Sequence, residues 1–253
     1  MRSVSQNPNA GGAAGPIFVR RERMKRRLRH LRRVIEASYA TTLQPVTFDG
    51  LTIDVLRVAD VDTLLDRLPP VQFRPDERLP YWADLWPSGL ALARYLWRAV
   101  DVRGLHVLEL GCGLGLVGVV ASRKGAVVTL TDYEADALAF ARHNIMHNGC
   151  QRALIRHLDW HHPTLTEKYR LIVASDIIYE RANFLPIVQM LQTSMAPSGR
   201  FLLAEPNRPV ARDFLRLLRD HGFRYERVTE SVGLEGERFD VSIYDGRHKT
   251  TRP

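Results

Sequence analysis

Three glycines at alternate positions, Gly111, Gly113 and Gly115, follow an apolar run from His106 to Leu110 that carries one carboxylate, Glu109. Without a Cβ, such a segment can turn sharply and bring its backbone into contact with a ligand. The stretch behind it, Leu116 to Arg123, is apolar and compatible with a helix. A helix there offers its unpaired N–H groups to the same ligand. Seventeen residues beyond Gly115, Asp132 closes a second apolar run, Ala126 to Thr131. A carboxylate in that place can accept from both hydroxyls of a ribose. The combination describes a nucleoside-binding βαβ unit.

Two nucleoside cofactors compete for it. Gly113-Leu-Gly115-Leu-Val-Gly118 satisfies the dinucleotide fingerprint by spacing, with Asp132 near the expected offset. Three observations favour S-adenosyl-L-methionine. Glu109 extends the run to Glu-x-Gly-x-Gly-x-Gly, the form seen in class I methyltransferases. The unit starts near residue 105, after a long N-terminal section. The next strand, Ala153 to Leu158, ends in Asp159-Trp160; the acid can accept from an adenine amino group and the indole can cover the ring.

A fourth apolar run, Leu171 to Ser175, delivers Asp176-Ile-Ile-Tyr179 to the carboxyl edge of the sheet, where open α/β sheets bind ligands. A carboxylate and a phenol beside the glycine loop are placed to hold an incoming nucleophile. Methyl transfer is an in-line displacement, so the protein must align the nucleophile, exclude water and balance a changing charge. An amine must also arrive neutral. A free lysine at neutral pH lacks its usable form by about 4 kcal/mol, and partial burial reduces that deficit. Asp176 is expected to accept a hydrogen bond from the amine and to stabilise the ammonium product.

The elements that must position these residues can be laid out along the chain. Val46-Thr-Phe and Leu51 to Val58 flank Asp49-Gly50, a hairpin signature. Asp60 to Leu68 suits a short helix closed by Pro69-Pro70, followed by a charged loop over 71–80. Pro87 suits the first turn of a helix running to about Val100, with Leu90, Ala93, Leu96 and Trp97 as its buried stripe. Strands are then expected near 105–110, 126–131, 153–158, 171–175, 200–205, 223–230 and 239–245. Helices are expected near 116–124, 134–147, 183–195 and 208–221, with Gly199 and Gly222 where helices should stop. This order predicts an α/β fold: a doubly wound, Rossmann-like sheet of seven strands whose last strand is antiparallel, preceded by a helix and a β-hairpin. Trp82 and Trp86, in the aromatic stretch Leu79 to Gly89, either cover the cofactor or anchor the N-terminal section to the sheet.

At 253 residues the chain fits one domain with trimmings. No apolar run is long enough to span a bilayer, the first twenty residues lack a signal peptide's apolar core, and two cysteines suit a reducing compartment. A cytoplasmic protein is expected. Cys112 reads as a small apolar residue, His161-His162 as loop surface, and no cluster has metal-site spacing. The net charge of +8 is local. Nine basic residues from Arg20 to Arg33 stand against Glu22 alone, so this segment carries +8 and the remainder is neutral. Met24, Leu28, Leu31 and Ile35 give that helix one apolar stripe. Such a helix can bind phosphate backbones, an acidic protein or an anionic membrane; an acidic partner is the expectation, and with the rest of the chain neutral no diffuse nucleic-acid-binding face is expected. Residues 1–19 read as a disordered tail, 20–78 as an extension of basic helix and hairpin, and 79–253 as the catalytic domain.

The chain resembles the seven-β-strand methyltransferases that include the lysine methyltransferases acting on electron-transfer flavoprotein β-subunit and on chaperones. The residues that carry the resemblance are Leu85-Trp86-Pro-Ser-Gly-Leu-Ala-Leu-Ala-Arg-Tyr-Leu96, Glu109 to Gly115, Thr131-Asp132, Leu158-Asp159-Trp160 and Asp176-Ile-Ile-Tyr179. The resemblance implies that Trp86, Gly111, Gly113, Asp132, Asp159 and Trp160 line the cofactor and that Asp176 and Tyr179 face the acceptor. The reading is a methyltransferase acting on a lysine of a protein substrate. A small-molecule amine or RNA is the alternative acceptor, although the Asn-Pro-Pro-Tyr form of many nucleic-acid methylators is absent. An NAD-dependent dehydrogenase would need a hydride-transfer pair such as Tyr-x-x-x-Lys. A silent binding module would not need the intact glycine loop and both acids.

Overall fold

The computed structural model describes residues 16–66 and 80–249. Pro69-Pro70, most of the expected charged loop and residues 1–15 of the expected tail lie outside them. Helix α1 (Pro16–Glu36) leads into the hairpin β1 (Thr41–Phe48) and β2 (Leu51–Val58), then α2 (Val61–Asp66). The basic helix therefore begins four residues before the first arginine of its run. A proline, whose φ is already helical, opens its first turn. The hairpin closes on Asp49 and Gly50, both at positive φ (47° and 77°), as a tight two-residue turn requires.

The catalytic sheet is built from β3 (His106–Leu110), β4 (Val127–Asp132), β5 (Ala153–His157), β6 (Tyr169–Ser175), β7 (Met195–Glu205), β8 (Phe223–Leu234) and β9 (Glu237–His248). Its order is β5-β4-β3-β6-β7-β9-β8. The first five strands run parallel, whereas β9 is antiparallel to both β7 and β8. The chain winds outward from β3 to β5 and then returns to β3's other side with β6. That reversal, between β3 and β6, is where open α/β sheets form their ligand crevice.

Both faces of the sheet are buried, and the strands alternate between them. Val107, Leu171, Val173 and Leu202 join a core with α3 (Pro87–Ala99), α4 (Leu116–Arg123), α5 (Ala135–His147) and the hairpin. Leu108, Leu110, Ile172, Phe201 and Leu203 join the opposite core under α6 (Phe184–Ser194) and α7 (Ala211–Asp220). Helix α3 buries Leu90, Ala93 and Leu96 completely or nearly so, while Trp97 is only half-buried. One expected boundary differs. Helix α6 ends at Ser194, and Gly199 lies within β7. A Cβ at Gly199 would come within 2.6 Å of Met195 Cγ and 2.8 Å of the Ala196 carbonyl oxygen. This glycine permits a close backbone approach beside the register shift between β6 and β7. Gly222 does stop α7, at φ 83°.

Two buried asparagines fix the hairpin to the domain. Asn144 on α5 accepts from Leu56 N at 2.8 Å and donates to the carbonyls of Leu56 (3.1 Å) and Leu114 (2.9 Å). Asn148 exchanges bonds with Asp54 N and O at 3.1 and 2.8 Å. Buried amides satisfied in this way make the extension part of the folded unit and pin the end of the glycine loop.

Candidate active site

The carboxyl ends of β3, β4 and β6 open onto a pocket of about 270 Å³. Trp86, Glu109, Gly111, Gly113, Asp132, Asp159, Trp160, Asp176 and Tyr179 all line it. Gly115 does not. It caps α4 at φ 78°, and a Cβ there would stand 3.0 Å from both Ala141 Cβ and Leu130 Cδ2. Its requirement for glycine comes from the turn and from packing against α5 and β4.

Backbone geometry shapes the floor of the pocket. Gly111 sits at φ 62°, and a Cβ would lie 2.7 Å from Ile177 Cγ2 and 3.3 Å from Trp160 Cζ2. Gly113 sits at φ 49° against the main chain of Trp82. Asp132, nearly buried at the end of β4, accepts from Gly113 N at 2.8 Å and from Glu134 N at 3.0 Å. Its carboxylate thus holds the loop as well as facing the pocket. Glu109 is 2% exposed, and burial, reinforced by the nearby Asp132 charge, pushes its carboxyl up to about 8; the Gly118 amide offsets part of this. A Cβ at Gly118 would stand 2.4 Å from Glu109 Oε2, so the fourth glycine leaves room for this carboxyl. Burial also raises the Cys112 thiol well above its ordinary range, which makes it a packing residue and not a nucleophile.

Asp159 and Trp160 form the next wall. The Asp159 carboxylate accepts from His161 N at 2.9 Å and meets His162 Nδ1 at 3.1 Å; these contacts, His162 first, hold it below the usual carboxylate range. The two histidine rings diverge. His162 remains on the surface, whereas His161 turns toward the pocket, 3.0 Å from Asn183 Oδ1. Both are exposed loop residues, as expected, and His161 in addition lines the pocket. Trp160 Nε1 is buried without a hydrogen-bond partner.

The far wall is charged. Asp176 holds a left-handed backbone (φ 60°), unusual for a residue with a side chain, and its amide donates to Ala204 O at 2.9 Å. Arg208 Nη1 donates to Asp176 Oδ1, while Oδ2 is buried without a partner. Arg208 itself is placed by the turn after β7. Its amide donates to Glu205 Oε2 at 2.9 Å, and the neighbouring Asn207 bonds Asp240 O and Ser242 Oγ on β9. Nothing in the spacing of the chain links Arg208 to Asp176. The signal that could have found it is its place just past the carboxyl end of β7, the strand beside Asp176's own.

Aromatic side chains close the mouth. Tyr81 stands edge-on to Tyr179 at 5.5 Å and to Trp86 at 6.1 Å, and Trp86 Nε1 donates to Tyr81 O at 2.6 Å. Trp82 also lines the pocket and packs between Tyr39 (5.6 Å) and Phe140 (5.3 Å). Of the two tryptophans, Trp82 is the anchor to the N-terminal section.

A doubly wound sheet with an antiparallel β9 and a glycine-loop pocket at its switch point defines a methyltransferase of the Rossmann-like class. The chain belongs to the lysine methyltransferase family, whose pattern residues 72–221 match, more than half of its length. It is 32% identical over 183 residues to EEF1A lysine methyltransferase 3 of Mus musculus, covering 70% of this chain and 76% of that protein. It is 34% identical over 143 residues to protein N-lysine methyltransferase METTL21A of Mus musculus, covering 53% of this chain and 65% of the relative. Among solved structures, the ribosomal protein L11 methylase of Lactobacillus delbrueckii shares the fold at a TM-score of 0.52 with 19% identity, over 62% of this chain and 77% of that one.

Proposed function

We propose that the pocket holds S-adenosyl-L-methionine and that the enzyme methylates the ε-amino group of a lysine on a protein substrate. The observation that carries this reading is Asp176: one carboxylate oxygen is held by Arg208, and the other is buried, unpartnered and on the wall of the glycine-loop pocket. When bound, the cofactor supplies a methyl group activated on a sulfonium. The residues present suit it. Asp132 offers a carboxylate at the end of β4 for the ribose, Gly111 and Gly113 let the backbone approach, and Leu114, Leu116 and Leu158 supply apolar surface. Asp159 accepts from the adenine amino group. The buried, unpaired Trp160 Nε1 calls for an acceptor from a ligand.

On this reading Tyr81, Trp86 and Tyr179 wall a channel for the lysine stem, excluding water from the amine. Asp176 Oδ2 accepts a hydrogen bond from the amine and balances the ammonium that forms. Arg208 keeps the carboxylate oriented, and its own positive charge favours the neutral form of an amine nearby. The two free cysteines suit a reducing, cytoplasmic setting.

The test is to incubate the protein with labelled S-adenosylmethionine and cell lysate, then to map the label by mass spectrometry. Label on lysine side chains of one or a few proteins is expected. Label confined to RNA or to small molecules overturns the acceptor, and micromolar NAD binding with no heat from S-adenosylmethionine overturns the cofactor.

A further inference from the structure

Helix α1 sets five arginines of its basic run on an exposed face. At about 100° per residue, Met24, Leu28, Leu31 and Ile35 fall on one side. Leu31 and Ile35 pack into the core, Ile35 at 4% exposure. Arg23, Arg26, Arg27, Arg29 and Arg33 fall on the opposite side within an arc of roughly 160°, and all five are exposed. The ion pairs on this helix use other residues, Lys25 with Glu22 and Arg32 with Glu36. Among the described residues, none of the five has an acidic partner within 4.0 Å. Five like charges along about 15 Å of helix repel one another, and among the described residues no acidic side chain pairs with them.

We infer that this face is a docking surface for the phosphate backbone of a nucleic acid. The charges are arginines, whose planar fork matches phosphate oxygens two at a time. Arg23, Arg26, Arg29 and Arg33 recur every three or four residues, a rise of about 5 Å per step, comparable with the spacing of successive phosphates along a strand. A lipid surface fits less well. An interfacial helix must bury its apolar face among acyl chains, and here the C-terminal half of that face is taken up by the domain. An acidic protein fits less well too, because a protein interface needs an apolar or aromatic centre and this face offers Val34 alone. The end of α1 is tied to the pocket wall through Tyr39. Tyr39, three residues past α1, donates to Asp136 at 2.6 Å and packs on Trp82, which lines the pocket. The inference stands whatever the methyl acceptor is.

The test uses the full-length chain and a fluorescein-labelled oligouridylate of about 20 nucleotides, long enough to span the helix face. Anisotropy titrations are run across a salt series for the wild type and for R26E/R29E/R33E. Five phosphate contacts on a single strand predict a slope of log affinity against log salt of about −3.5. The triple variant should lose at least about 100-fold at low salt and most of that slope. Circular dichroism and binding of S-adenosylhomocysteine report whether the variant is folded; if it is not, R26Q/R29Q/R33Q takes its place and should lose affinity in the same direction. Equal affinity of a folded variant and the wild type overturns the inference. So does tighter binding to polyglutamate, or to vesicles of phosphatidylserine and phosphatidylcholine, than to the oligonucleotide.

Discussion

The two walls of the pocket are built on different principles. On the side of β3 and β4, backbone does most of the shaping: glycines at positive φ, amides donated to Asp132, and the Glu109 carboxyl, pushed up by burial, beneath the loop. These parts lie within one βαβ unit, as where Gly113 N donates to Asp132 across 19 residues. On the side of β6 and β7, side chains do it. Asp176 sits in a left-handed backbone with one oxygen on Arg208 and one on nothing. Each wall keeps a buried polar atom without a partner, Glu109 Oε2 on the first and Asp176 Oδ2 on the second, but only the second, the unfinished wall in this comparison, also sets that carboxylate in a left-handed backbone against an arginine. Such unfinished groups mark where chemistry, and not folding, sets the requirement.

If that contrast holds, the largest effect belongs to the unfinished wall. Asp176→Asn keeps the shape and one acceptor oxygen but removes the charge that balances the ammonium. Turnover should fall about a hundred- to a thousand-fold, the ~3–4 kcal/mol typical of such electrostatic groups, with cofactor affinity unchanged. Steady-state kinetics beside calorimetry checks it, and near-normal turnover would make Asp176 a loop residue only.

The first wall should respond in the opposite way. Asp132→Ala is expected to weaken S-adenosylhomocysteine binding by ~2–3 kcal/mol and to lower the melting temperature as well, because Gly113 and Glu134 lose the acceptor of their amides. An unchanged dissociation constant with a lowered melting temperature would confine Asp132 to holding the loop.

Glu109 sharpens the comparison through pH. Its carboxyl is raised in the fold to about 8 from an ordinary value of 4.5, so between those values the folded state keeps a proton that the unfolded state has released. Stability from this residue is therefore fully present at low pH and is lost as pH rises from about 4.5 to about 8. Glu109→Gln needs no proton. It should match the wild type near pH 4 and become progressively more stable than it as pH rises from about 4.5 to about 8, measured by chemical denaturation. Parallel pH profiles for the two proteins would show that the carboxyl is ionised in the fold.

The same contrast explains which parts could be read without coordinates. The glycine run, Asp132 and the strand order are local patterns: alternation, turn residues and offsets within one βαβ unit. The hairpin was equally legible, since Asp49-Gly50 dictates its turn. Arg208 was not, because it meets Asp176 through the adjacency of β6 and β7, and the contact of His161 with Asn183 was not, because it joins loops that follow non-adjacent strands. Nothing in the sequence sets apart Asn144 on α5 and Asn148 just past its end; only burial against β2 reveals that they bind the extension. Gly115 shows the converse error. It belongs to the motif yet serves packing, because a sequence motif records every constraint on a loop and not only those a ligand imposes.

Arg208 yields the smallest expected effect and the finest discrimination. Its guanidinium is the one cation shown against Asp176, and a cation near the acceptor amine lowers that amine's affinity for a proton. Arg208→Ala leaves the carboxylate's charge uncompensated, which favours the ammonium form and so depletes the nucleophile. The acidic limb of the rate profile should move to higher pH by about one unit, so that turnover near pH 7 falls about tenfold, ~1.4 kcal/mol, and recovers in alkaline buffer. Arg208→Lys, which keeps the charge without the fork, should restore the position of the limb but only part of the rate. A purely structural Arg208 would lower the rate equally at every pH and leave the limb where it was. Recovery at high pH therefore separates a residue that tunes the acceptor's protonation from one that merely props up the loop after β7.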